Sequence, residues 1–259
     1  MAERQTNGVQ SVQRALDLLT QVSEVPGGAR LTDLAQSTGL APSTVHRLLT
    51  TLENSGFVYA DGLSNRWHVG QRAFAVGSAY TKQRSFVAPA LPFLRRLRDA
   101  TRETAKLGVI EDGEVITLSQ VESREIKRTI SPPGGRVPVI CSGMGKAIIA
   151  TWEDDAIDRV IERHGLRAVT KRSLTSPAAV HEEIARIRSR GYALDDEEFV
   201  IGLRCVAAVV WGPSGDPACA ISVSGLAARM TPQKVAETGE TVKRLAAELT
   251  SVLGGRPPE

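Results

Sequence analysis

The sequence predicts an α+β protein in two parts. Residues 1–70 read as a winged helix-turn-helix, residues 71–85 as a linker helix, and residues 86–259 as a larger domain with an antiparallel sheet. Three observations predict this. Residues 31–69 place two short amphipathic helices around a glycine turn and follow them with a hairpin. The later apolar, β-branched runs mostly meet through turns, which favours antiparallel pairing. At 259 residues the chain is long enough for two separate cores.

The elements follow in order. Residues 9–22 carry Val12, Ala15, Leu16 and Leu19 on one stripe, an amphipathic helix expected to pack under the motif, and Pro26-Gly27-Gly28 breaks it. The first motif helix turns Leu31, Leu34 and Ala35 inward and ends at Gly39. Pro42 opens the second, whose Val45, Leu48, Leu49 and Leu52 recur at helical spacing, and Gly56 stops it. Residues 57–59 and 66–69 read as two strands around Asp61-Gly62, a wing. Residues 72–83 form a proline-free helix with Ala73, Phe74, Val76 and Ala79 apolar, a semi-rigid connection.

The second part opens with a helix over 88–103 and a hairpin, 105–110 with 115–121, around Asp112-Gly113. Helices follow over 142–151, 154–164 and 176–190, the last capped by Ser176 with Pro177 at its first position. Residues 205–211 and 218–224 are strands around a Pro-Ser-Gly-Asp turn, and a helix over 231–253 closes the chain.

Composition excludes several classes. With 42% hydrophobic and 24% charged residues the chain reads as soluble and globular, and no apolar run approaches the roughly 20 residues of a membrane span. Residues 1–10 lack the apolar stretch of a signal peptide. The cysteines Cys141, Cys205 and Cys219 are odd in number and far apart, which fits a reducing cytoplasm rather than a disulfide framework. Net charge is +3, with +2 in residues 1–85 and +1 in 86–259. DNA binding is therefore expected from the motif and not from bulk charge. Such modest charge suits a dimer reading two half-sites. The exposed front of the second motif helix offers Ser43, Thr44, His46 and Arg47, short donors plus a guanidinium where a recognition helix meets base edges. Thr32 and Arg66, from the helix before and from the wing, complete the candidate DNA contacts.

Ser222 and Ser224 stand at i and i+2 of an apolar strand, so both hydroxyls face one side and Ile221 and Val223 the other. Such a pair either binds a carboxylate or carbonyl, or bonds locally within the domain. Cys205 opens the neighbouring strand; read alone, it is a small buried hydrophobe. Asp195 belongs to a run of four acids at 195–198, and such runs are usually solvated.

Over nearly its full length the chain resembles the IclR family of bacterial transcriptional regulators. The residues that carry the resemblance are LAQSTGLAPSTVHRLLTTLENSGFV in the motif, SGMGKAIIA at 142–150, and GYALDDEEFVIGLRCVAAVV with AISVSGLAAR at 191–210 and 220–229. The chain departs from the family at Ala208-Val209-Val210, where relatives often carry Ala-Pro-Val. The resemblance implies an effector domain similar to GAF and PAS sheets, dimers often paired into tetramers, and a small-molecule effector with no cofactor. It also implies that Asp195, Cys205, Ser222, Ser224 and the loop Ser142-Gly143-Met144-Gly145 line the effector cavity. The glycines of that loop would let backbone N–H groups approach an anion.

The set holds small donors and, Phe199 aside, no aromatic side chain to stack on a large ring. It looks like the glyoxylate-sensing branch, with aromatic acids such as protocatechuate, or an acyl lactone, as alternatives. Repression of a palindromic operator is the expected sign. Two other classes fit the sequence less well. Ser222, His181 and Asp195 make a triad on paper, yet no Gly-x-Ser-x-Gly elbow surrounds any serine, so no enzyme is expected. The three cysteines with a histidine would suit zinc in type but not in spacing.

Overall fold

The computed structural model describes residues 9–82, 84–123 and 131–258. They divide into two compact units, one ending at residue 83 and the other beginning at 84. Residues 1–8, read above for a targeting signal, and Gln83, the expected end of the linker helix, lie outside the described residues.

The first unit runs α1 (Gln10–Glu24), α2 (Leu31–Thr38), α3 (Pro42–Asn54), β1 (Val58–Asp61), β2 (Arg66–Val69) and α4 (Gln71–Lys82). Gly39 ends α2 in the left-handed conformation at φ 66°, which costs glycine little and a branched residue much. Pro42 then opens α3 where its missing N–H has no helical partner to lose. Leu18 and Val22 of α1, Leu34 of α2, Val45 and Leu49 of α3, Val58 and Trp67 form one core. Each fully buried leucine contributes about 1.5–3 kcal/mol.

The inward stripe expected for α1 is corrected. Val12 and Leu16 are 56% and 53% exposed, while Leu18 and Val22 face the core and Ala15 and Leu19 are half-buried. The packed face is rotated from the expected one because α1 seats on both α2 and α3. On α4, Phe74 and Val76 are likewise exposed. The wing turn also differs: β1 reaches Asp61, which pairs with Arg66, and residues 62–65 form the loop. Asp61 Oδ1 accepts the Leu63 N–H at 3.0 Å and closes the turn. Trp67 also exchanges backbone hydrogen bonds with Ala29 at 2.8 and 2.9 Å, which ties the wing to the segment before α2.

The second unit runs α5 (Val87–Thr101), β3 (Thr104–Glu111), β4 (Glu114–Val121), β5 (Arg136–Pro138), a 3₁₀ turn (Val139–Cys141), α6 (Gly143–Ile149), α7 (Asp154–His164), α8 (Pro177–Arg190), β6 (Ala193–Asp196), β7 (Leu203–Trp211), β8 (Pro217–Leu226) and α9 (Pro232–Val252). Six strands lie in the order β5-β4-β3-β8-β7-β6, every neighbouring pair antiparallel. Asp112 and Gly113 both take positive φ, 48° and 76°, as a tight hairpin requires. Ser176 and Thr231 cap α8 and α9 by accepting the N–H groups of Ala179 and Lys234.

The short edge strands β5 and β6 are absent from the sequence reading, since three and four residues carry too little periodicity to detect. Helices α6 and α8 cover the face bearing Ala193, Ala207 and Ala220. The opposite face, with Val206, Ile221 and Val223, is equally buried, and α5 and α9 pack on the sheet. Among the described residues no helix is long and apolar enough to cross a membrane.

Candidate functional site

The ladder of the second unit sets the site. Asp195 on β6 stands opposite Cys205 on β7, Cys205 opposite Ser224 on β8, and Ser224 opposite Thr104 on β3. Two residues along, Ala193, Ala207, Ser222 and Lys106 form a second row on the same face. Directly opposed residues share a face, and neighbouring strands are about 4.8 Å apart, so each row spans about 14 Å. A cavity of about 70 Å³ lies over this patch, and Ser142, Gly143, Met144, Phe199, Arg204 and Ser131 are among the other residues of its wall. That is room for a handful of non-hydrogen atoms.

Seven of the eight expected residues, Ser142, Gly143, Met144, Asp195, Cys205, Ser222 and Ser224, line this cavity together. Gly145 does not. It packs on the backbone of Val139, where a side chain would come within 2.2 Å of the carbonyl oxygen, and its N–H is spent on Ser142 Oγ at 3.3 Å. The cause is simple: Ser142 caps α6, so Gly145, the third residue of that helix, turns toward the cap and away from the cavity. Gly143 sits 3.1 Å, by an added Cβ, from the Cys205 carbonyl oxygen, which explains glycine there: the helix start lies directly on β7.

Ser222 Oγ is fully buried and has no hydrogen bond of acceptable geometry among the described residues. It and Ser224 nevertheless lie near enough to the Cys205 thiol to favour ionisation, against the burial that dominates and pushes the thiol up. A buried hydroxyl without a bond costs about 1–3 kcal/mol, and a ligand oxygen would satisfy it.

The charged groups are the main surprise. Lys146 is wholly buried, and its ammonium donates to the Leu194 carbonyl at 2.6 Å and to Glu198 Oε1. Glu198 returns its N–H to Asp195 Oδ1 at 2.8 Å. Asp195 and Glu198 thus point inward from the acidic run while Asp196 and Glu197 remain partly exposed. Burial, and then the Glu198 charge, push Asp195 up to about 7. Lys106 also lines the cavity; burial lowers its pKa, and its Nζ donates to the Ser131 carbonyl at 3.2 Å. Lys106 has a signal in the sequence, a lysine inside an apolar strand. Arg204 is balanced by Asp196 Oδ1 at 2.5 Å and the Met230 carbonyl at 2.7 Å.

The paper triad does not assemble. Ser222 and Asp195 share the cavity, but His181 on α8 bonds Asp158 on α7 at 2.7 Å. Among the described residues no three His, Cys, Asp or Glu side chains gather as metal ligands do.

In the first unit, Ser43, His46 and Arg47 are exposed and Thr44 half-exposed on the first turns of α3. Thr32 is exposed at the start of α2, its hydroxyl 3.2 Å from Asp33. His46 meets Trp67 edge-on at 6.5 Å. Arg66 is less available than expected: its Nη1 donates to the Gly28 carbonyl at 2.7 Å, anchoring the wing.

A winged helix-turn-helix followed in the chain by a sheet domain, whose small cavity carries several polar side chains in a largely apolar wall, defines a DNA-binding regulator with a small-molecule site. Comparison with known proteins is specific. Residues 11–62 match the IclR helix-turn-helix domain, and residues 78–251 match the bacterial transcriptional regulator IclR C-terminal family. The chain is 40% identical over 252 residues to the transcriptional repressor IclR of Escherichia coli strain K12, covering 96% of this chain and 92% of that protein. It is 41% identical over 245 residues to the regulator BhcR of Paracoccus denitrificans, covering 95% and 88%. The crystal structure of Thermotoga maritima IclR superposes with a TM-score of 0.81 at 26% identity, covering 94% of this chain and 98% of that one. The chain belongs to the IclR family of bacterial transcriptional regulators, a family of DNA-binding proteins and not of enzymes.

Proposed function

We propose that this regulator represses from a palindromic operator, bound in the cytoplasm by a dimer that pairs into tetramers, and that a small carboxylic acid in the cavity controls it. The observation that carries this reading is the pair of rows over four strands, which bring six polar side chains and two alanines to one face. Buried hydroxyls, a thiol, a carboxyl raised to a pKa of about 7 and a lysine face a small cavity. Glyoxylate or a similar 2-oxoacid matches both size and chemistry: its carboxylate and carbonyl oxygens accept the bonds that Ser222 and its neighbours offer. Phe199 in the wall is the feature that an aromatic acid would use.

DNA contact falls to Thr32, Ser43, Thr44, His46, Arg47 and Arg66, with Arg66 mainly positioning the wing. The exposed Val12 and Leu16 on α1, with Phe74 and Val76 on α4, supply apolar area that self-association would cover. The effector acts by binding one arrangement of the assembly better than the other, a coupling typically worth ~1–3 kcal/mol. Calorimetry with glyoxylate, pyruvate, 4-hydroxybenzoate and a lactone, on wild type and on Ser222→Ala/Ser224→Ala, tests the reading. A small oxoacid should bind wild type and lose affinity in the double variant. Binding of an aromatic acid alone, or an unaffected double variant, overturns the assignment.

A further inference from the structure

We propose that Cys205 holds its ligand covalently: the thiol adds reversibly to the carbonyl carbon of a 2-oxoacid of the aldehyde type and forms a hemithioacetal. The inference rests on the cavity reading above and names how that site takes its ligand. Of the three cysteines only Cys205 lines the cavity, where it is partly exposed. Cys141 and Cys219 are buried, the one donating to the Arg167 carbonyl at 3.5 Å and the other pushed up to about 12 by burial. Gly143 leaves room over the Cys205 sulfur, since a Cβ there would lie 3.3 Å from Sγ.

A thiol alone would count as a small hydrophobe. Ser222 supplies independent support. It is wholly buried, lines the same cavity, and its Oγ has no hydrogen bond among the described residues. Ser224 stands opposite Cys205 on β8, and Ser222 lies two residues along on the same face. An oxygen carried on a carbon bound to Cys205 therefore arrives beside two hydroxyls, one of them unsatisfied. A ligand oxygen there removes the cost of burying that hydroxyl without a partner.

The addition balances without a co-reactant. Sγ bonds the carbonyl carbon, the π pair of the carbonyl moves to its oxygen, and the thiol proton ends on that oxygen. No group leaves, and the sum is redox-neutral. Asp195 stands opposite Cys205 on the other side, on β6, and the two groups interact electrostatically. Its carboxyl, raised to about 7 by burial and then by Glu198, both accepts and donates protons near neutral pH, which suits the transfer from sulfur to oxygen. Burial disfavours a resting thiolate, but not the adduct, whose sulfur and new hydroxyl are uncharged. An aldehyde suits the site better than a ketone, which brings a second carbon substituent into a cavity of about 70 Å³.

The test compares glyoxylate, an aldehyde, with glycolate, its alcohol counterpart, which has no electrophilic carbon. Both are titrated calorimetrically into the full chain as wild type, Cys205→Ala, Cys205→Ser and Ser222→Ala/Ser224→Ala, with thermal melting to check folding. Carbon NMR of glyoxylate isotope-labelled at its aldehyde carbon reports the state of the bound carbon. Wild type should bind glyoxylate at least roughly tenfold more tightly than glycolate. The bound carbon should resonate as one bonded to sulfur, distinct from the aldehyde and its hydrate. Both cysteine variants should lose that resonance and the preference for glyoxylate. Only aldehyde or hydrate signals on saturated wild type, or an adduct signal that persists in Cys205→Ala, overturn the role of Cys205; a serine double variant that still loses binding then leaves the cavity reading intact. A serine double variant that binds both probes like wild type, or a wild type that binds neither, overturns the cavity reading and this inference with it.

Discussion

A carboxyl group placed beside a second carboxylate under a helix holds its proton, and Asp195 is such a group. Burial is the larger cause and Glu198 the next, together raising it from 3.8 to about 7. The folded value lies above the unfolded one, so between about pH 4 and 7 the native state keeps a proton that the unfolded chain has released. Stability linked to Asp195 is therefore full at the acid end of this window and falls as pH rises through it. Asp195→Asn should remove that loss. Urea titrations should show the variant gaining on wild type from pH 4 to pH 8, by a few kcal/mol at most; a pH-independent difference would refute the assignment. At the same scale, Thr44 and Arg47 stand at the accessible front of α3. Thr44→Ala and Arg47→Ala should each weaken operator binding by ~1–3 kcal/mol without unfolding the protein. Fluorescence anisotropy at fixed salt measures this, and unchanged affinity in both removes α3 from the interface.

Among the elements, α6 does the most for the cavity. It has only seven residues, and all of them are buried. Such a helix owes its place to contacts rather than to length. Ser142 caps its start, Gly143 and Gly145 let it lie on the β7 and Val139 backbones, and Lys146 pins it to β6 and to Glu198. Gly145→Ala forces a methyl group into the Val139 carbonyl, a backbone atom that cannot rotate away. The substitution should destabilise the second unit by about 1–3 kcal/mol, read by thermal or chemical melting. Gly77→Ala, on the helical α4 with nothing within 4 Å, should instead be neutral or stabilising by about 0.5–1 kcal/mol. Equal effects at the two sites would mean that close packing does not explain the glycine at 145.

At the scale of the molecule, the first unit carries its own core and the second carries its own sheet. A fragment of residues 86–259 should fold, bind the small acid and ignore operator DNA. Circular dichroism with calorimetry checks the first two and anisotropy the third. A fragment that is unfolded in every condition, or that binds operator by itself, places the boundary elsewhere.

What the sequence determined by itself is local. Glycine and proline positions marked where α2 ends and α3 and α8 begin, because left-handed φ and a missing N–H are properties of single residues. Alternation put Ser222 and Ser224 on one face, because side chains on a strand have a period of two. The family-specific stretches named seven of the residues that line the cavity, together with Gly145, which does not. Tertiary structure alone decided which charges are buried and which strands are neighbours. Asp195, Cys205, Ser224 and Thr104 are scattered over 121 positions of the chain, and only the order β6-β7-β8-β3 sets them in one row. The rotation of α1, the burial of Lys146 and the entry of Lys106 into the cavity share the same origin. Each depends on what packs against the residue from elsewhere in the chain, and propensity, which describes a residue and its near neighbours, carries no information about that.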